Sequence, residues 1–271
     1  MRGLRRVEHV MGFPVSVRID DEDVPEAAVD GLFAWLREVD ARFSPFRPDS
    51  EVSRLDRGEV REPGPQLREI LDLCEEYRLA TGGAFDVRLP GRGLDPCAVV
   101  KGWSVQRGAE LLSAAGARRF CLNAGGDVIA SGGPWRVGVR HPEHADRLCT
   151  VLDVTDRAVA TSARYERGDH ILDGRTGRPA TGLLSLTVVA PTLTEADAVA
   201  TAAFALGGEG VGWAAARENC EVFAVDAERR VLRSAGFPVV GGDVMGRQLP
   251  GRSSRKPAGG TKNRLPVTAR E

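Results

Sequence analysis

Apolar and polar residues alternate over 15–20 (VSVRID), the two-residue period of a strand with one buried face. The period then lengthens. Over 24–43, Ala28, Leu32, Leu36 and Val39 recur at helical spacing behind Pro25, which predicts an amphipathic helix. A second helix is predicted over 65–83, closed by the Gly82–Gly83 pair. A third lies within 94–116, entered near Ser104 and closed by Gly116. The polar, Pro-interrupted stretch 43–55 reads as a loop.

Further on, RFCLNAGGDVIASGG (119–133) has the form strand, Gly-rich turn, strand. WRVGVRHP, CTVLDVTDRAVATS and LLSLTVVAP read as additional strands. TEADAVATAAFALGG (194–208) is a helix of small and apolar residues, GVGWAAARENC another, and EVFAVDAERRVLRSAGF a hairpin. Strands interleave with helices without regular βαβ alternation, which favours an α+β fold. From Gly241 the chain turns basic, rich in Gly and Pro and poor in large apolar residues. The expectation is one domain over 1–240 and a disordered tail over 241–271.

Composition narrows the function classes. A formal net charge of -1 over 271 residues gives no general reason to bind nucleic acid or an anionic membrane. No apolar run has the length of a membrane span. The start of the chain has no apolar h-region, and the five cysteines are scattered without CxxC pairs. Reduced thiols and a cytoplasmic location are therefore expected.

Four stretches carry polar chemistry. Asp197 and Thr201 stand four residues apart on a predicted core helix and share a face. A carboxylate with a hydroxyl is an all-oxygen set suited to Mg²⁺; alternatively Thr201 bonds back within the helix and Asp197 lies in a solvated first turn. In NAGGD (123–127), bare backbone of Gly125 and Gly126 suits phosphate and Asp127 a ribose, while a tight hairpin turn explains the same residues. Lys101 before Gly102 offers a positive field near a helix start, or is an ordinary solvated lysine. In 161–179, Thr161, Ser162, Tyr165, Glu166, His170, Asp173 and Arg175 crowd into a turn-rich span. His170 is a candidate proton carrier or a satisfied loop histidine. Ser162, His170 and Asp173 suggest a hydrolase triad, but no nucleophile elbow surrounds the serine.

The order of these stretches is more specific than any of them. MGFPVSV, FSPFRPDSEVSRL, TGGAFDV, LDPCAVVKGWSVQ, LNAGGDVIASG, TSARYERGDHILDGRTGRP, SLTVVAPT and ADAVATAAFALG follow one another along the chain. Together they closely resemble the ApbE family of FAD:protein FMN transferases, from about residue 9 to 225. The resemblance implies an α+β, T-fold-related mixed sheet with flanking helices and a FAD-binding cleft. It also implies Mg²⁺-dependent transfer of FMN from FAD to a threonine hydroxyl of an acceptor flavoprotein or reductase, releasing AMP.

Carried over by motif, Asp197, Thr201 and the backbone carbonyl of Ala98 are the metal positions. Met11, Phe46, Ala84, Phe85, Asp86, Asp95, Lys101 and Ile171 match positions lining the FAD site, with Gly125, Gly126, Asp127 and Glu51 supporting it. His170 is the candidate base. Two glycines usual in the family's lysine motif are here Cys97 and Ala98, Gly174 replaces a usual proline and is expected to loosen its turn, and Ala163 replaces a glycine. Two other readings use the same pocket: a Mg²⁺-dependent FAD pyrophosphatase yielding FMN and AMP, and a non-catalytic flavin-binding protein. The metal pair and Lys101 argue against the second, since retaining flavin needs no metal.

Overall fold

In a computed structural model, residues 3–89, 91–164, 168, 170–240 and 247–249 are described. A nine-stranded sheet organises the chain, in the order β1 (Leu4–Val10), β2 (Phe13–Ile19), β5 (Phe120–Ala124), β6 (Asp127–Ser131), β9 (Arg157–Ala163), β12 (Leu183–Ala190), β13 (Glu221–Asp226), β14 (Val231–Arg233), β15 (Arg247–Gln248). Neighbours pair antiparallel except β14 and β15.

The strand period of two sorts side chains to two cores. Val15, Val17, Leu122, Ala160, Leu186 and Val188 enter the larger one, which the helices cover. Val128, Ala130, Val159, Val189 and Phe223 point the other way, onto the separate hairpin of β7 (Trp135–Arg140) and β8 (Leu148–Val154). The central strand β12 is thus covered on both faces, which explains its nearly continuous burial, broken in polarity only by Ser185 and Thr187.

Three helices form the main helical layer. The first, α1 (Glu26–Phe43), buries Val29, Leu32, Phe33, Leu36, Val39 and Phe43. Each such side chain contributes about 1.5–3 kcal/mol of transfer free energy. An exposed pair such as Arg37–Glu8 contributes roughly 0–1 kcal/mol, so the apolar face holds α1 in place. The other two are α4 (Cys97–Ala114), which packs on α1, and α5 (Leu193–Leu206), which packs on α4, β9 and β12. Thr192 caps α5 by accepting the Glu195 N–H, and the helix is buried almost all round.

Several boundaries differ from expectation. The β1–β2 hairpin begins at Leu4, and α4 begins at Cys97 and not near Ser104. Asp95 Oδ1 accepts the Cys97 N–H at 3.0 Å, serving the helix start that Pro96 leaves without a side-chain cap. A short helix, α2 (Glu51–Asp56), interrupts the expected loop because Ser50 accepts the Ser53 N–H. The next helix, α3 (Pro65–Ala80), stops before Gly82–Gly83. CTVLDVTDRAVATS divides into β8 and β9, turning at Asp156, whose φ is 49°. Helix α6 (Gly208–Ala215) packs on α5. Small hairpins pair β3 (Arg88–Leu89) with β4 (Gly93–Leu94) and β10 (Leu172–Asp173) with β11 (Arg178–Pro179). Within the tail expected to be disordered, β15 pairs with β14 and Leu249 packs on the main core. The other residues of 241–271, and Tyr165 and Glu166, lie outside the described residues.

Candidate active site

Asp197 lies in the second turn of α5, 6% exposed. An ionised carboxylate at that depth requires partners, and α4 provides one: Gly102 donates its N–H to Asp197 Oδ2 at 2.9 Å. The close approach depends on glycine. A Cβ on Gly102 would stand 2.6 Å from the Leu193 carbonyl oxygen and 2.8 Å from Asp197 Cβ. Helix periodicity assigns that same N–H to the carbonyl of Ala98, so a carboxylate competes for the donor of Ala98. One turn beyond Asp197, Thr201 Oγ1 lies 3.3 Å from Ser162 Oγ on β9.

Lys101 precedes Gly102, and its Nζ lies 2.5 Å from Asp127 Oδ2. Asp127 Oδ1 accepts the Thr161 N–H at 3.1 Å. Gly125 and Gly126 form the two-residue turn between β5 and β6, so the hairpin reading of this stretch holds. The turn also has a second role. Gly125, at φ +59°, borders the cleft, where a Cβ would press on Phe13 at 3.2 Å.

These elements enclose a cleft of about 970 Å³. That is at the upper end of the roughly 300–1,000 Å³ of small-molecule pockets, a size for a dinucleotide. Asp197, Thr201, Ala98 and Lys101 form one wall. Met11, from the β1–β2 turn, adopts φ 58° and receives a contact from Ser104 Oγ at 3.7 Å from its Sδ. Phe85, Asp86, Asp95 and Ile171 also line the cleft, as does Phe46, which is 78% exposed. Among the expected site residues, Ala84, Gly126 and Asp127 lie behind the lining. Glu51 is also outside it, accepting the Gly64 N–H at 2.6 Å at the start of α3.

Gly174 does not loosen its turn. Its N–H donates to the Ala84 carbonyl at 2.8 Å, and a Cβ there would stand 2.4 Å from the Gly83 carbonyl oxygen. Glycine thereby fastens the 171–175 segment to the wall containing Phe85. Asp173 in this turn is held below the usual carboxylate range by its hydrogen bonds with Arg175. His170 borders the cleft and is exposed, with Nδ1 3.1 Å from the Gly168 carbonyl. The triad is not assembled: Ser162 bonds Thr201, His170 bonds Gly168 and Asp173 bonds Arg175.

Sequence reasoning missed Phe13, Arg92 and Arg140 as lining residues. Arg92 follows a Gly in a β-turn and Arg140 ends β7, so neither sits in a pattern that marks a site. Ser162 was visible only as a hydrolase nucleophile, and its pairing with Thr201 depends on the packing of α5 over β9. None of the five cysteines is in a disulfide, and no described helix is long and apolar enough to cross a membrane.

Comparison with known proteins shows the family and the fold. The sequence model of the ApbE family matches residues 11–91 and 87–224. A FAD:protein FMN transferase of Salmonella typhimurium is 30% identical over 155 residues, covering 52% of this chain and 44% of the relative. This chain therefore spans less than half the length of that relative. Another, from Klebsiella pneumoniae, is 31% identical over 287 residues, covering 83% and 90%. The flavin transferase ApbE from Vibrio cholerae superposes with a TM-score of 0.77 at 21% identity, over 87% of this chain and 98% of that one, a likeness of fold. The family match spans the β1–β2 turn, the lysine helix and the Asp197 helix together, and the chain belongs to the ApbE family.

Proposed function

We propose that this protein transfers FMN from FAD to a threonine hydroxyl of an acceptor flavoprotein or reductase, releasing AMP, with Mg²⁺ as the required ion. The observation that carries the reading is the placement of Asp197, Thr201 and Ala98 on one wall of a cleft of dinucleotide size. Relatives named as FAD:protein FMN transferases support it.

The residues present fit the ion. Among the described residues no three His, Cys, Asp or Glu side chains cluster as a metal cage. The available donors are one carboxylate, one hydroxyl and a backbone carbonyl, all oxygen. Mg²⁺ commonly takes few protein ligands and completes its shell with water and substrate phosphate. When bound, it supplies stabilisation of the charge that builds on pyrophosphate oxygens.

The remaining work belongs to the chain. Lys101 brings a cation to the cleft wall for the same developing charge. Phe85 and Phe46 offer apolar surface to the flavin ring. A carbonyl can only accept a hydrogen bond, so the neutral His170 ring bonded to Gly168 carries its proton on Nδ1 and keeps its basic lone pair on Nε2. That nitrogen takes the threonine proton as the oxygen–phosphorus bond forms. The bond from the FMN phosphorus to the bridging oxygen breaks, and that oxygen departs with AMP.

Incubation with FAD, Mg²⁺ and an acceptor domain tests the proposal. Covalent flavin fluorescence on the acceptor together with AMP is the expected result. AMP without labelled protein would establish the pyrophosphatase instead, and neither product would refute both catalytic readings.

A further inference from the structure

Of the expectations for Asp127, a ribose contact or support of the pocket, the structure favours support, since both its carboxylate oxygens face protein. Its side chain is 2% exposed, Oδ1 is held by the Thr161 N–H, and Oδ2 lies 2.5 Å from Lys101 Nζ. Lys101 is the reverse case, 20% exposed by side chain and part of the cleft wall. The β9 backbone fixes the carboxylate, and the carboxylate fixes the lysine.

We propose that Asp127 is a positioning residue that acts on FAD only through Lys101, holding the ammonium toward the phosphate-bearing half of the ligand. A lysine stem has four rotatable bonds, and freezing it is entropically costly. Asp127 meets that cost in the folded protein before ligand arrives. The neighbouring Gly102 N–H is held at the same time by Asp197. One dipeptide of α4 is thus fixed from β6 through its side chain and from α5 through its backbone. The inference rests on the flavin reading above and adds a dependence that reading does not require.

A double-mutant cycle in FAD affinity tests it, with Asp127→Asn, Lys101→Met and the double variant, and riboflavin as the phosphate-free probe. Lys101→Met removes a charge-assisted hydrogen bond, so an affinity loss of about tenfold or more is expected. Asp127→Asn should weaken FAD in the same direction, and the double variant should bind no worse than Lys101→Met alone. Riboflavin affinity should stay near the wild-type value in all three. The double variant also removes both charges of the pair, so it remains informative if a single variant, left with one unpaired buried charge, fails to fold. A further full loss on adding Asp127→Asn to Lys101→Met would overturn the proposal by showing that Asp127 acts on ligand independently. Equal losses for FAD and riboflavin would overturn it by showing a general collapse of the cleft. A wild-type protein that binds riboflavin and FAD equally would refute the lysine–phosphate contact, and one that binds neither would refute the flavin reading itself.

Discussion

Gly102 and Asp197 meet across the crossing of α4 and α5, backbone N–H to carboxylate at 2.9 Å, with no room for a Cβ between the helices. This contact joins packing to chemistry, because the same carboxylate forms part of the cleft wall.

Gly102→Ala should therefore be costly. The new methyl meets the Leu193 backbone carbonyl at 2.6 Å, which cannot rotate away. A loss of about 1–3 kcal/mol in unfolding free energy is expected from overpacking, together with lost activity. Gly108→Ala on the same helix is the control, since its methyl meets the end of the Leu32 side chain at 2.5 Å. There the gain in helix propensity, about 1 kcal/mol, offsets much of the strain. Chemical denaturation of both variants measures the contrast. A Gly108→Ala variant less stable than Gly102→Ala would contradict the argument.

Asp197→Asn separates the two roles of the carboxylate. The amide oxygen can still accept the Gly102 N–H, so the variant should fold. Added Mg²⁺ should raise the melting temperature of the wild type and leave that of the variant unchanged. AMP release should fall by more than about a hundredfold, the upper range for losing even an outer partner of a metal ligand. Retained Mg²⁺-dependent turnover would remove Asp197 from the metal site.

His170→Ala should lower the rate of acceptor labelling by about 10²–10⁴-fold, the usual contribution of a positioned base. FAD affinity should change little, because the ring is exposed and bonds only its own loop among the described contacts. Single-turnover labelling and an FAD titration give the two quantities. A large loss of FAD affinity with normal labelling would make His170 a binding residue instead.

The long helices, the Gly125–Gly126 turn and the Asp197/Thr201 pair were legible because each depends on local periodicity or turn chemistry. β1 was not. Its sequence LRRVEHV alternates half-buried and exposed positions up to the buried Val10, but four of the seven residues are charged or His, as suits the edge of the sheet. The start of α4 was misplaced because Pro96 and Gly102 both read as breakers, although Pro is tolerated at a helix start and Gly102 is required by the neighbouring helix. The second core beneath β7 and β8 was hidden because it unites residues from six separate strands. Within the site, residue types could be read from sequence, but partners could not. Nothing local to Asp127 points to Lys101, and nothing local to Gly174 points to the Ala84 carbonyl.

The Asp173 turn gives a pH prediction. Arg175 donates to both carboxylate oxygens at 2.9 Å and holds Asp173 below the usual carboxylate range. A depressed folded value means that the contribution is complete above the unfolded value, about 3.9, and disappears as pH falls through the lowered folded value. The pair is partly exposed, so its contribution is ~1 kcal/mol or less. Asp173→Asn should therefore melt slightly below the wild type at pH 5 to 7, by about the shift such an energy produces. The two curves should converge below the ordinary carboxylate range as the wild-type carboxyl takes up its proton. The Gly174 N–H bond to Ala84 does not titrate and should keep the 171–175 segment against the cleft wall throughout. Thermal unfolding of both proteins across this range decides the matter: a gap that stays constant down to pH 2 would show that Asp173 stabilises the turn by hydrogen-bond geometry and not by its charge.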